Sequence, residues 1–430
     1  MRNYILDAGL AGLNADVSFD VSAFDDIEIY EIVSDIIKER LDPSWAIREG
    51  GTIHNRPVID DDVIYFCCCD KRLYAISKKG KLLWSFETKG VNISTPVIIG
   101  NLIVFGSYDR NIYAIDKGKG RLAWMFSAED KIYSRPCTDG KRIFFGSRDG
   151  NLYCIDTRGK LLWKFGTGGP IENHPILHGE ILYFGSNDQN FYALDPETGN
   201  MLWRFRTESN IRFSFSVWND IVYLGGMEDT VYGVDRKGRQ IFSFMMKNAI
   251  SQAPLAMDGV VYIPSRDYNL YAVKTTGELL WKFKAGDFIG APALRDGILY
   301  FGSGDNNLYA VDAVKGSLKW RFSSNGMLPA EPVLDGKVLY MSGWDCNMYS
   351  LDVGTGKLLW KFRTSMGNQS KIDLDSIRPH KRLEVVWNSE PELVEEKKYS
   401  SQELGDYGVL GSDYASGMSK SYMSGKKNYI

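Results

Sequence analysis

The stretch that decides the fold is Asn151-Leu-Tyr-Cys-Ile-Asp156, followed after Gly159 by Leu161-Leu-Trp-Lys-Phe165. This pattern, an apolar-Tyr-small-apolar segment, a glycine and a closing aromatic pair, occurs eight times at intervals of 38 to 40 residues. Its tyrosines are Tyr74, Tyr113, Tyr153, Tyr192, Tyr232, Tyr271, Tyr309 and Tyr349. A repeat of this length is typical of a propeller or a solenoid.

Each repeat consists of short segments in which apolar residues alternate with a period of two, as in Ile181-Leu-Tyr-Phe184. Gly, Asp and Asn bound these segments, which predicts strands and tight turns. Four strands in about 40 residues make one propeller blade. We therefore predict an all-β, eight-bladed β-propeller of four-stranded blades over residues 44–366.

The flanking segments do not share the repeat. Residues 1–43 form an N-terminal extension, in which 25–41 begins with acids, ends with bases and carries an apolar stripe. This charge order suits a helix dipole, so we predict a short amphipathic helix over 25–41. The polar C-terminal extension, residues 367–430, ends in a Gly-, Ser- and Tyr-rich tail that we expect to be largely irregular, binding a partner or staying disordered.

One aromatic residue closes each repeat: Trp84, Trp124, Trp163, Trp203, Phe242, Trp281, Trp320 and Trp360. With the preceding Tyr-small motif, these units resemble the tryptophan-docking repeats of the pyrroloquinoline-quinone-like β-propellers. That family includes quinoprotein dehydrogenases and the propeller lipoprotein of the outer-membrane barrel assembly machinery. The resemblance implies that each tryptophan wedges between neighbouring blades against a small residue. The fifth repeat departs from the pattern, with Phe242 and Gly233.

Composition and charge exclude several partners. The 430-residue chain has a formal net charge of −3, which offers no basic surface for nucleic acid. No run of 18 apolar residues is present, so we expect no membrane insertion. The N-terminal residues 1–13 lack the apolar block and cleavage site of a secretory signal. We therefore expect a cytoplasmic protein.

Three consecutive cysteines, Cys67, Cys68 and Cys69, stand where other repeats have residues such as Gly106-Ser107-Tyr108. They are weak candidates for a metal or redox site, because the resemblance implies that neighbouring thiols could form a vicinal disulfide beside a cofactor. The alternative is three small residues packed in a reducing compartment. No CxxC pair or second Cys/His cluster accompanies them, which favours the packing interpretation and predicts no cofactor.

Residues near the recurring proline of each repeat differ from blade to blade. In a propeller they are expected at the mouth of the central channel, and the charged ones are Arg56, Arg135, His174, Arg212 and Glu331. We define these five residues as the channel mouth and predict that it binds an anion or a peptide. The alternative is a solvated rim in which an arginine and Glu331 satisfy each other.

No catalytic motif is recognisable in the chain. A Ser-His-Asp order, an HExxH helix and a glycine-rich phosphate loop are all missing from the sequence. We therefore predict a non-catalytic protein–protein interaction scaffold in an intracellular assembly, binding other proteins through the propeller faces, the N-terminal helix and the tyrosine-containing tail. Two alternatives stay open: a quinone- or metal-dependent oxidoreductase with its site at the channel mouth, and a small-ligand sensor.

Overall fold

The structure, a computed structural model, describes residues 51–211 and 215–364 and the backbone of two short strands, Asn3–Ile5 and Ser18–Asp20. These two strands pair antiparallel, with Asn3 opposite Asp20, a pairing that the sequence analysis did not anticipate. They belong to one compact unit, and residues 49–368 form another. The predicted helix over 25–41 and the C-terminal extension over 367–430 lie outside the described residues.

Residues 58–363 form eight antiparallel sheets of four strands, each sheet made of strands in chain order. First strands are Val58–Asp60, Val97–Ile99, Cys137–Thr138, Ile176–His178, Ser216–Trp218, Leu255–Met257, Ala293–Arg295 and Val333–Asp335. Second strands are Val63–Cys68, Leu102–Gly106, Arg142–Gly146, Ile181–Gly185, Ile221–Gly225, Val260–Pro264, Ile298–Gly302 and Val338–Ser342. The eight-bladed, four-stranded architecture is confirmed.

The remaining two strands complete each blade. Third strands are Arg72–Ser77, Asn111–Asp116, Asn151–Asp156, Asn190–Leu194, Thr230–Asp235, Asn269–Lys274, Asn307–Asp312 and Asn347–Asp352. Fourth strands are Leu82–Glu87, Arg121–Ser127, Leu161–Gly166, Met201–Arg206, Gln240–Met245, Leu279–Lys284, Leu318–Ser323 and Leu358–Arg363. No helix occurs within 51–211 or 215–364.

Burial identifies which strands carry the core. The middle of a third strand such as Asn151–Asp156 is buried, whereas the fourth strand Leu161–Gly166 alternates exposed and half-buried residues. Buried apolar residues group into eight clusters, each shared by two neighbouring blades. The core is therefore a ring of inter-blade layers, and the fourth strands form the outer edge.

A tyrosine–aspartate hydrogen bond braces seven of the eight blades. In the third blade the Tyr153 hydroxyl donates to Asp149 at 2.7 Å, and the other oxygen of that carboxylate accepts the backbone N–H of Asn151 at 2.8 Å. Equivalent tyrosine hydroxyls donate in the others: Tyr74, Tyr113, Tyr192, Tyr271, Tyr309 and Tyr349. The aspartates repeated after the second strands thus hold the turn, as short acidic side chains commonly do.

Each closing tryptophan contacts the following blade. The Trp84 indole N–H donates to the carbonyl of Lys117 at 3.1 Å, and a Cβ built on Gly120 would lie 2.6 Å from Trp84 Cδ2. Gly120 has φ +63°, so glycine is required both by the backbone conformation and by the close approach of the ring. Within its own blade Trp84 lies opposite Ala75, the small residue of the motif.

The junction between the fifth and sixth blades differs. Phe242 has no N–H to donate, and a Cβ built on Gly277 would meet nothing within 4 Å. At the seven other junctions a Cβ built on the equivalent glycine would lie within 2.9 Å of a tryptophan ring. Phe242 itself is 6% exposed and packs edge-on against Tyr223. This junction therefore lacks both the hydrogen bond and the ring contact that hold the other blades together.

Phe242→Trp is expected to stabilise the protein by about 1 kcal/mol, because the indole would reach the open space at Gly277 and donate to the backbone carbonyl of Thr275. Urea unfolding of the purified protein measures the change. The matched control is Trp281→Phe, which should lose stability by removing the same contacts at the next junction. A destabilised Phe242→Trp protein would contradict this account of the junction.

The ring closes between the last and first blades without exchanging a strand. The Trp360 indole donates to the carbonyl of Lys78 at 2.9 Å, in the same way as at the other junctions. Two hydroxyls add hydrogen bonds: Ser342 donates to the carbonyl of Asn55 at 2.7 Å, and Thr364 donates to that of Gly51 at 2.8 Å. Side chains and loops, rather than a shared sheet, hold the two chain ends of the propeller together.

Candidate functional site at the channel mouth

Two sets of connections meet on one face of the propeller. These are the loops that lead into the first strands and the turns between the second and third strands, and we name this surface the loop face. Backbone hydrogen bonds join the two sets in every blade. For example, the N–H of Tyr108 donates to Val91 at 3.0 Å and that of Arg148 to Lys131 at 3.0 Å. The channel mouth lies where these loops enter the first strands.

An ion pair crosses the closure of the ring at the channel mouth. Arg56 Nη1 donates to Glu331 Oε1 at 2.5 Å, and the two side chains are 30% and 36% exposed. The two residues are 275 positions apart in the sequence. Arg56 Nε is buried and has no hydrogen-bond partner among the described residues. The pair therefore leaves one donor of Arg56 unsatisfied.

Arg135 and His174 complete the described part of the channel mouth. Burial lowers the pKa of Arg135, the charge of Arg56 lowers it further and Glu331 opposes the shift. Burial also lowers the pKa of His174 to about 3, helped by the charges of Arg135 and Arg56. The His174 ring lies nearly parallel to Phe215, with centroids 6.1 Å apart. His174 is therefore a neutral imidazole at physiological pH.

The structure thus brings four of the five predicted channel-mouth residues into one electrostatic cluster: Arg56, Arg135, His174 and Glu331. Arg212 lies outside the described residues. Because His174 is neutral, the four side chains carry two positive charges and one negative charge. The ion pair expected for a solvated rim is present between Arg56 and Glu331, but Glu331 forms no such pair with Arg135.

A second polar cluster on the loop face was missed by the sequence analysis. The rings of Tyr108 and Tyr133 stack with centroids 4.3 Å apart, and the guanidinium of Arg148 lies 5.3 Å from the centroid of Tyr133. Arg148 Nε lies 3.3 Å from Glu172 Oε1, and Asn187 Nδ2 donates to the other oxygen of Glu172 at 3.3 Å. The Glu172 side chain is only 7% exposed, and its carboxylate contacts both Arg148 and Asn187.

A sequence signal for this cluster does exist. The residue just before the repeated acid varies from blade to blade, although its neighbours hardly vary: Cys69, Tyr108, Arg148, Asn187, Met227, Arg266, Gly304 and Trp344. The variable position lies on the loop face because its backbone N–H bonds to the loop that enters the first strand. Variation at one position, within a repeat whose other residues are similar, therefore indicates this cluster.

His54 and Trp344 extend this face towards the closure of the ring. Their ring centroids lie 4.5 Å apart, and His54 Nε2 is buried without a hydrogen-bond partner among the described residues. Burial lowers the pKa of His54 to about 4. Like His174, His54 is held neutral inside the loop face.

The consecutive cysteines do not face one another. Cys67 packs in the cluster between the first and second blades, and Cys68 packs in the cluster between the eighth and first blades. Their side chains therefore point to opposite faces of the sheet, as adjacent residues of a strand do. Burial raises the pKa of Cys67 and Cys68 well above the usual value and that of Cys69 to about 12. The described residues contain no group of three His, Cys, Asp or Glu side chains that could hold a metal.

We expect the folded protein to resist alkylation by iodoacetamide at pH 8, because only the thiolate reacts and burial keeps these thiols protonated. All six cysteines are free thiols, so denaturation in urea should make all six reactive. Mass spectrometry of the intact protein counts the added groups. Rapid native labelling at Cys67, Cys68 or Cys69 would contradict the packing interpretation and revive the redox one.

No segment among the described residues is a helix long and apolar enough to cross a membrane. The sequence matches the family model described as outer membrane protein assembly factor BamB over residues 38–134, 129–241 and 227–379. No curated protein matches the chain.

The chain is similar in fold to many solved structures, of which two are described. The computationally designed protein Ika8 superposes with a TM-score of 0.63 at 16% identity, covering 70% of this chain and 96% of that one. BamB from Moraxella catarrhalis superposes with a TM-score of 0.62 at 17% identity, covering 70% of this chain and 95% of that one. At these identities the structural likeness shows the propeller fold alone.

Proposed function

This chain belongs to the family of the outer membrane protein assembly factor BamB, within the pyrroloquinoline-quinone-like propellers, and from that premise we propose that it is a non-catalytic, protein-binding propeller subunit of a larger assembly. The family match covers most of the chain and agrees with the resemblance carried by the repeats. A fold hosts many functions, so the proposal rests on the properties of one surface.

The observation that carries the proposal is the cluster on the loop face. Tyrosine, tryptophan and arginine are the residues most often found at the energetic centres of protein interfaces. Here Tyr108, Tyr133 and Arg148 lie together, partly exposed, at positions where the blades differ from one another. A purely structural position would carry similar residues in each blade, as the Tyr–Asp pairs do. The N-terminal segment 25–41 and the tyrosine-containing tail are proposed as further contacts on sequence grounds alone.

Affinity capture from the native host tests this role with three proteins: the wild type, Tyr133→Ala and Trp218→Ala. Tyr133 lies on the loop face, whereas Trp218 ends a first strand at the opposite face. We expect a protein that binds the wild type and Trp218→Ala but is lost with Tyr133→Ala. Equal capture by all three would remove the loop face as the binding surface, and capture of nothing would contradict the scaffold role.

We also propose that the protein is located in the cytoplasm. Six free thiols and no disulfide suit a reducing compartment, whereas the description of the family refers to the outer membrane. Fractionation of host cells, with immunodetection of the chain in cytoplasmic, periplasmic and membrane fractions, decides between these locations. Recovery in a periplasmic or membrane fraction would contradict the cytoplasmic proposal and leave the protein-binding proposal standing.

A further inference from the structure

The channel mouth carries positive charge that its own residues do not neutralise. Glu331 is its only described carboxylate, and it pairs with Arg56 at 2.5 Å. The described residues provide no hydrogen-bond acceptor or ion-pair partner within contact distance of Arg135. Placing a charged group in a partly buried site without a partner is unfavourable, so the site favours an anion.

The donors in this site are also incompletely used. A guanidinium has five N–H donors in a fixed plane, an arrangement that fits the oxygens of carboxylate and phosphate. Arg56 uses Nη1 for Glu331, and its buried Nε donates to no described residue. Arg135 makes no hydrogen bond to the described residues. An oxyanion would supply acceptors for both side chains at once.

The carboxylate of Glu172 does not serve as an acceptor for Arg56 or Arg135. Glu172 is bound by Arg148 and Asn187 and is almost fully buried. His174 is neutral, so it adds a polar ring to the site without adding to its charge. The two arginines therefore supply all the positive charge of the described channel mouth.

We propose that the channel mouth binds a small oxyanion of the carboxylate or phosphate class, held by the guanidinium groups of Arg135 and Arg56 beside the ring of His174. Arg135 is the principal ligand because no described carboxylate is bonded to it, and Glu331, which is bonded to Arg56 and attracts Arg135 through space, limits the affinity. This site does not depend on the proposed protein partner, because its residues are separate from those of the Tyr108–Tyr133 cluster.

Isothermal titration calorimetry of the full chain tests the site with inorganic phosphate and with succinate, each at constant ionic strength set by sodium chloride. The phosphate titration and the succinate titration show whether the site prefers a phosphate or a carboxylate. We expect saturable binding of at least one of these ions. If neither binds more tightly than chloride does, the proposal is overturned.

Matched variants then locate the site. Arg135→Met should weaken binding by about tenfold or more, since charge-assisted hydrogen bonds contribute on that scale. Glu331→Gln should strengthen it by about threefold or more, because it frees Arg56 while keeping the size of the side chain. Arg239→Met is the control, since Arg239 is 70% exposed and pairs with Asp235 away from the channel.

Unchanged affinity in Arg135→Met would overturn the proposal. If that variant does not fold, Glu331→Gln decides alone: tighter binding supports the site, and unchanged or weaker binding overturns it. The outcome of these titrations does not depend on whether Tyr133→Ala loses a protein partner in the capture experiment.

Discussion

Replacing Trp360 by alanine is expected to lower the free energy of unfolding by about 3 kcal/mol, near the low end for removal of a buried aromatic side chain, because Trp360 is partly exposed. The variant loses the indole hydrogen bond to Lys78 and leaves a void above Gly80, whose Cβ position lies 2.9 Å from the ring. Urea unfolding followed by circular dichroism measures the loss.

Trp163→Ala is the matched control for this prediction. Trp163 makes the same type of contact, donating to the carbonyl of Pro196 at 3.3 Å. The polypeptide chain also connects the third blade directly to the fourth, whereas the eighth and first blades are joined within the described residues only by non-covalent contacts. Trp360→Ala should therefore be the more damaging change. Equal losses in the two variants would mean that ring closure does not depend on this contact.

Acidification from pH 7 to pH 5 is expected to destabilise the protein by about 4 kcal/mol, about 2 kcal/mol from each of His54 and His174. Burial lowers the pKa of His54 to about 4 and that of His174 to about 3, below the ordinary value of 6.5. Between those values and 6.5 the unfolded chain binds protons that the folded chain does not. Stability is therefore fully present above pH 6.5 and is lost as the pH falls.

Chemical denaturation at a series of pH values between 5 and 8 measures the slope of the free energy of unfolding against pH. His54→Phe and His174→Phe should each remove about half of it, whatever their effect on stability at pH 7. His178→Asn is the control, because the His178 side chain is 42% exposed and lies beside Asp220, away from the two buried histidines. A slope unchanged in both phenylalanine variants would show that other groups cause the acid sensitivity.

Much of the fold followed from the sequence because its determinants are local. Alternating apolar residues, a glycine in each hairpin and a closing aromatic residue specify one blade, and eight copies predict the ring. The departure of the fifth repeat was also visible in the sequence. The open space beside Gly277 could not be predicted from the sequence, because it depends on how far apart the fifth and sixth blades lie.

The candidate site was only partly predictable. The position before each recurring proline indicated Arg56, Arg135, His174 and Glu331, because residues that fail to repeat in a repeat protein have a separate role. The Tyr108–Tyr133–Arg148 cluster was missed because its members come from different loops whose side-chain contacts have no regular spacing. Sequence could not reveal that Glu172 pairs with Arg148 either.

The sequence by itself determined the number of blades, their strands and the residues that distinguish one blade from another, since each depends on neighbours within about 40 residues. Only the tertiary structure decided which charges are satisfied. Arg56 and Glu331 are 275 positions apart and become partners because the ring closes, which leaves Arg135 as the described channel-mouth arginine without an ion-pair partner. Ion pairing depends on distance in space, and closure of the ring sets that distance.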